Sequence, residues 1–232
     1  MKKINFGIIQ FPGSNCEQDC FYVLTKIFNQ NCKYIWHDSK SFKNIDCIII
    51  PGGFSYGDYL RTGAIASQSR ISNNIKEFAS NGGMVLGICN GFQILTELNL
   101  LPGVLLRNKS LSFICENVTL KTTNNNSKFT STLMNDQLLN IPIAHADGNY
   151  YASQKELASL KANNQIIFQY SDKYGGCDDQ SNPNGSILNI AGITNKEGNV
   201  FGLMPHPERV SESILGGLDG KKIFDSIIKS FT

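Results

Sequence analysis

The chain has 232 residues, 41% of them hydrophobic and 17% charged, the composition of an ordinary globular protein rather than a disordered or fibrous one. Its net charge of +2 comes from basic residues scattered along the sequence, which argues against a nucleic-acid partner, and no run of about 20 apolar residues reads as a membrane span. Seven cysteines, an odd number without framework spacing, point to a reducing compartment, and a chain of this size can bury a stable core without disulfide or metal staples.

In chain order, three short apolar runs (4–9, 46–50 and 84–88) are each followed by Gly or Pro. Such runs fit strands covered on both faces. Asn5 and Gln10 interrupt the first of them, so it does not read as a signal peptide and a cytoplasmic location is expected. Between and after the runs, residues 17–28, 71–79 and 91–98 carry helical apolar spacing. Alternating strand and helix predicts an α/β fold with a doubly wound, mostly parallel sheet and flanking helices. Residues 104–129 change to β-like runs with polar turns and read as a β-hairpin insertion. Further strands are expected at 141–144, 165–170, 187–193 and 200–204, with an amphipathic helix at 220–231. No linker or repeat divides the chain, so one domain over 1–232 is expected.

In a doubly wound fold, functional residues gather in loops at the carboxyl ends of strands. The stretches 12–15, 51–54 and 87–91 all fall there. The strongest of them is Gly87-Ile88-Cys89-Asn90-Gly91, the cysteine form of a nucleophile elbow. Flanking glycines allow a sharp turn that lifts Cys89 over the sheet, where the N-terminus of the next helix favours a thiolate. An isolated cysteine would be better read as a buried structural thiol; the two glycines reverse that preference.

A base is available in Met204-Pro205-His206-Pro207-Glu208-Arg209. Pro207 disfavours helix at His206, and in an extended segment residues i and i+2 face the same way, so Glu208 can hold the His206 imidazole. His145 has Asp147 at the same spacing and competes for the role. A tetrahedral intermediate would need an oxyanion hole. The N–H of Asn90 is one expected donor, and the glycines of Pro51-Gly52-Gly53 permit the close approach of a second.

These residues resemble a known family. Pro51-Gly52-Gly53-Phe54-Ser55-Tyr56-Gly57-Asp58-Tyr59, Gly87-Ile88-Cys89-Asn90-Gly91-Phe92-Gln93 and His206-Pro207-Glu208-Arg209 are similar to motifs of the class I glutamine amidotransferases, whose fold is flavodoxin-like. Pro12-Gly13-Ser14-Asn15-Cys16, the 54–59 stretch and Leu101-Pro102-Gly103 narrow the resemblance to the small glutaminase subunits of phosphoribosylformylglycinamidine synthase. The resemblance implies a catalytic triad of Cys89, His206 and Glu208, an oxyanion hole at Gly53 and Asn90, and a place for Gln93 in the glutamine pocket. It also implies a γ-glutamyl thioester, L-glutamine as substrate, and ammonia passed to a large synthetase subunit of purine biosynthesis, with room for a small third subunit. One departure is Asp147, where family members usually carry Glu.

No cofactor is expected in this chain; ATP and Mg belong on the synthetase partner. The stretch 216–222 lacks the spacing of a phosphate loop and the Ser or Thr after its lysine. No metal site is expected either, because Cys16 and Cys20 have no second ligand pair at zinc-finger spacing. Two other readings are a freestanding cysteine hydrolase or peptidase and a non-catalytic binding module. The order of His206, Pro207 and Glu208 disfavours the first, and an elbow, base and orienter together disfavour the second.

Overall fold

The computed structural model describes residues 3–231. Its strands, in chain order, are β1 (Asn5–Gln10), β2 (Asn31–Trp36), β3 (Cys47–Ile50), β4 (Met84–Ile88), β5 (Val104–Leu106), β6 (Ile114–Thr122), β7 (Leu138–His145), β8 (Asn149–Tyr151), β9 (Ile166–Ser171), β10 (Ile190–Thr194) and β11 (Val200–Leu203). The helices are α1 (Glu17–Tyr22), α2 (Arg70–Ser80), α3 (Asn90–Glu97), α4 (Gln154–Ala162) and α5 (Asp219–Lys229).

Nine strands form one mixed sheet in the order β2-β1-β3-β4-β11-β10-β9-β6-β7. From β2 to β4, and on to β11, neighbours run parallel. The strand order reverses about β1, the switch point at which doubly wound folds place their sites. Beyond β11 every pairing is antiparallel. The expected parallel, helix-flanked sheet is therefore present as one half of a mixed sheet. Residues 104–129 do not pair with each other as a hairpin: β5 pairs with β8, and β6 lies between β7 and β9. Their partners come from later in the chain, which a local pattern does not encode.

Burial explains the strands that could be read. All of β3 and β4 is buried, as expected for strands under helices on both faces. The edge strand β2 is mostly exposed, with only Ile35 buried, and so lacks an apolar run. Helix α1 ends at Tyr22 and continues as a wider turn over Val23–Ile27. Strand β10 starts three residues later than expected, because Leu188 adopts φ 54° in a short turn over Ile187–Asn189. Helix α4 was not expected. A capping box starts it, with Ser153 accepting from the Glu156 N–H and Glu156 from the Ser153 N–H.

The sheet brings four segments to the carboxyl ends of its parallel strands: the loop after β1, the loop after β3, the turn after β4 and the segment after β11. Among the described residues, no helix is long and apolar enough to cross a membrane.

Candidate active site

Cys89 joins β4 to α3 with φ 50° and ψ −105°. A non-glycine residue held there is strained by about 1–3 kcal/mol, so its surroundings must fix it. They do: its N–H donates to the Leu203 carbonyl at 2.8 Å, and its own carbonyl accepts from Phe92 and Gln93. The flanking glycines serve close packing. A Cβ on Gly91 would run into the Ile50 carbonyl, and one on Gly87 would lie 2.5 Å from Leu95 Cδ1. The thiol is 5% exposed, and its Sγ points toward the Ala144 carbonyl at 3.7 Å.

His206 follows β11. Its N–H donates to the Pro142 carbonyl at 2.8 Å, fixing it against β7. Nδ1 lies 2.6 Å from Glu208 Oε1, and both residues are 1% exposed. The sequence argument placed this pair on an extended segment, but only His206 is non-helical. Pro207–Val210 form a 3-10 turn with Pro207 at its first position, where a missing N–H and fixed φ are no handicap. Burial alone would lower the proton affinity of His206; the negative charges of Glu208 and Cys89 and hydrogen bonding to Cys16 and Cys89 outweigh it, raising its pKa well above 6.5. The other ring nitrogen, Nε2, is buried and has no partner of good hydrogen-bond geometry.

His145 is placed differently. Its Nδ1 lies 3.1 Å from Asn108 Oδ1, which also accepts from the Gly148 N–H at 3.0 Å. With its oxygen the acceptor, Asn108 fixes the tautomer that carries hydrogen on Nδ1. Burial, followed by the nearby charge of His206, lowers the His145 pKa to about 4. Its recorded side-chain partner is thus an amide, and spacing to Asp147 does not create a second histidine–carboxylate pair.

Gly52 is the floor on which three segments meet. A Cβ there would lie 2.6 Å from His206 Cε1, 3.2 Å from Cys16 Sγ and 3.4 Å from Cys89 Cβ. Gly53 has φ +131°, and a Cβ on it would lie 2.6 Å from the Asn15 nitrogen. Asn90, at the start of α3, accepts from the Ser55 N–H at 3.2 Å and donates to Gln93 Oε1 at 2.8 Å. Gln93 Nε2 in turn donates to the Asp147 carbonyl at 2.7 Å. Asp58 lies beside this network, its carboxylate 3.4 Å from Asn90 Nδ2. Burial and then repulsion from Asp147 push the Asp58 pKa up to about 6.

Sequence reasoning assigned no individual role to Cys16, Arg209, Asp58 or Asn108. The first three lie in the stretches that carried the family resemblance; Asn108 stands alone in a loop and gave no signal. Arg209 Nη2 donates to Cys16 Sγ at 3.1 Å, and Cys16 Sγ lies 3.2 Å from Asn15 Oδ1.

A buried thiol on an elbow beside a buried histidine–carboxylate pair is the equipment of a cysteine nucleophile acting on a carbonyl. Residues 3–218 match the family model of the CobB/CobQ-like glutamine amidotransferase domain, the class that this fold and elbow define. The chain is 54% identical to the phosphoribosylformylglycinamidine synthase subunit PurQ of Moorella thermoacetica, over 97% of this chain and 95% of the relative. It is 48% identical to the subunit of that name from Aquifex aeolicus, over 97% and 99%. A solved PurLQS structure from Thermotoga maritima superposes with a TM-score of 0.87 at 40% identity, covering 100% of both chains. The chain belongs to the PurQ family of glutamine amidotransferases. A more distant glutamine amidotransferase from Thermotoga maritima, 16% identical with a TM-score of 0.59 over 100% of this chain and 83% of that one, shares the fold.

Proposed function

We propose that the chain is the glutaminase subunit of phosphoribosylformylglycinamidine synthase, with Cys89 as nucleophile, His206 as base and Glu208 as the group that orients His206. The relatives' names supply the pathway; the His206–Glu208 contact of 2.6 Å beside the Cys89 elbow carries the assignment of roles. Cys89 Sγ attacks the side-chain amide carbon of glutamine, and the oxyanion is held by the N–H groups of Gly53 and Asn90. His206 delivers its proton to the leaving nitrogen, ammonia departs, and a γ-glutamyl thioester remains on Cys89. Water, deprotonated by His206, hydrolyses the thioester to glutamate and restores the thiol.

The ammonia passes to a large synthetase subunit, with a small third subunit completing the complex. There it converts formylglycinamide ribonucleotide to the amidine. ATP and Mg are used on that partner, and no cofactor is assigned to this chain, which works in the cytoplasm as one glutaminase domain. In this structure both amide ends of Gln93 are engaged within the chain. Its part in glutamine binding is therefore to shape the pocket by holding Asn90 and the loop at Asp147.

The decisive test is amidation of formylglycinamide ribonucleotide by the complex, supplied with glutamine or with ammonium salt. Cys89→Ala should abolish the glutamine-dependent reaction and leave the ammonia-dependent one. Loss of both would mean that the substitution disrupts assembly, and retention of both would remove Cys89 from the mechanism.

A further inference from the structure

Cys16 has no part in the steps above, yet its sulfur belongs to their site. It is 1% exposed and shares the Gly52 floor with the Cys89 Cβ and the His206 ring, at the distances given above. A ligand atom from each of Cys16, His206 and Glu208 lies within 4.8 Å of the others. His206 Nε2 is buried and without a well-formed hydrogen bond, while Nδ1 is occupied by Glu208.

We propose that Cys16, Cys89 and His206 Nε2 form a zinc-binding site that shuts off the glutaminase by occupying its nucleophile and its base together. The proposal rests on the assignment of those two roles to Cys89 and His206. Two thiolates and one imidazole are a known donor set for a tetrahedral zinc ion with an open fourth position. Glu208 supplies the outer partner such sites use, a carboxylate on the far nitrogen of the ligating histidine. It fixes the ring so that Nε2 carries the free lone pair. The two thiolates offset the charge of the cation, which a neutral core would not.

Arg209 is the group in the way, with Nη2 at 3.1 Å from Cys16 Sγ. Its side chain is 36% exposed, so it has a path into solvent and can leave the sulfur when a cation arrives. The sequence concealed this donor set because its members come from three separated loops. Local spacing pairs Cys16 with Cys20, but Cys20 is fully buried in the core under α1.

The test uses the full, reduced chain titrated first with Co²⁺ and then with Zn²⁺. One equivalent of cobalt should give tetrahedral visible bands and thiolate-to-metal absorption from two sulfurs, and zinc should displace it. In Cys16→Ser the thiolate absorption should fall by half and zinc affinity should weaken about ten-fold or more. Cys115→Ser, at an exposed cysteine, should leave both unchanged. Cobalt bound to the wild-type chain without thiolate absorption would overturn the proposal, as would zinc affinity indifferent to folded Cys16→Ser. The wild-type spectrum decides the matter even where the variant fails to fold. Labelling of Cys89 by a glutamine-like diazo-ketone in the metal-free chain separates the two readings: a labelled chain that binds no zinc loses only this inference.

Discussion

The side-chain amide of Gln93 donates to the main-chain carbonyl of Asp147 at 2.7 Å while accepting from Asn90 at 2.8 Å, so the elbow helix is tied to the loop between β7 and β8. Both bonds are buried against the nucleophile's own turn. Gln93→Leu leaves the Asp147 carbonyl without this donor, a loss of about 1–3 kcal/mol. Denaturant unfolding should show that loss, and kcat/KM for glutamine in the complex should fall by about ten-fold, one decade per 1.4 kcal/mol. Unchanged kinetics with reduced stability would restrict the network to a structural role.

Glu208→Gln keeps the size of the side chain but removes the negative charge that holds His206 protonation high. An amide can also present its N–H to Nδ1 and select the wrong tautomer. By analogy with the same change in a serine triad, glutamine-dependent kcat should drop by about 10³–10⁴. Ammonia-dependent synthesis should persist, which excludes misfolding as the cause. A loss below ten-fold would argue that His206 is oriented by its backbone alone.

The histidines should separate in pH. His145 titrates near 6.5 unfolded and at about 4 in the fold. A depressed histidine contributes stability that is fully present above pH 6.5 and lost as pH falls to 4, by about 3 kcal/mol in all. His206, shifted upward, contributes stability present below 6.5 and lost as pH rises through its folded value. Asp58, raised to about 6, opposes His145 over part of the acid range, so the difference between variant and wild type is the quantity to measure. His145→Gln should flatten the acid limb between pH 6.5 and 4 while retaining glutaminase activity; His206→Ala should retain that limb and lose the activity. Exchange of those two phenotypes would move the base to His145.

Gly91→Ala tests the packing under the elbow. The added methyl would meet the Ile50 carbonyl, which belongs to backbone and cannot rotate away. Overpacking of this kind costs about 1–3 kcal/mol, and relief requires α3 to lift from β3, displacing Cys89. Thermal unfolding should shift downward and diazo-ketone labelling of Cys89 should slow. A fully stable, normally labelled variant would show that the helix has room.

What could be read from the sequence follows what a strand or turn needs locally. Strands β3 and β4 are continuous apolar runs because both their faces are covered, and the elbow is legible because its glycines serve contacts within a few residues. Edge strand β2 hides behind polar side chains. The partner of β5 lies beyond two intervening strands, so a hairpin was the natural local expectation and the wrong partner set. At the site, the spacing of His206 and Glu208 correctly suggested a pair, although the backbone that delivers it is a 3-10 turn. Asp147, at the same spacing from His145, gave an equal local signal; the difference between them is Asn108, more than thirty residues from His145 in the chain and recorded as hydrogen-bonded to its ring.

Strand β11 stands fifth of nine in the sheet, although it is the last strand to leave the ribosome. Until residues 200–203 are inserted, the strands from β2 to β4 and those from β10 to β7 have no hydrogen-bonded seam between them. The nascent chain thus carries Cys89 on one half and receives His206 only when the two halves are joined. Translation order acts as a safety catch: glutamine is not exposed to a working thiol before the whole enzyme has been made.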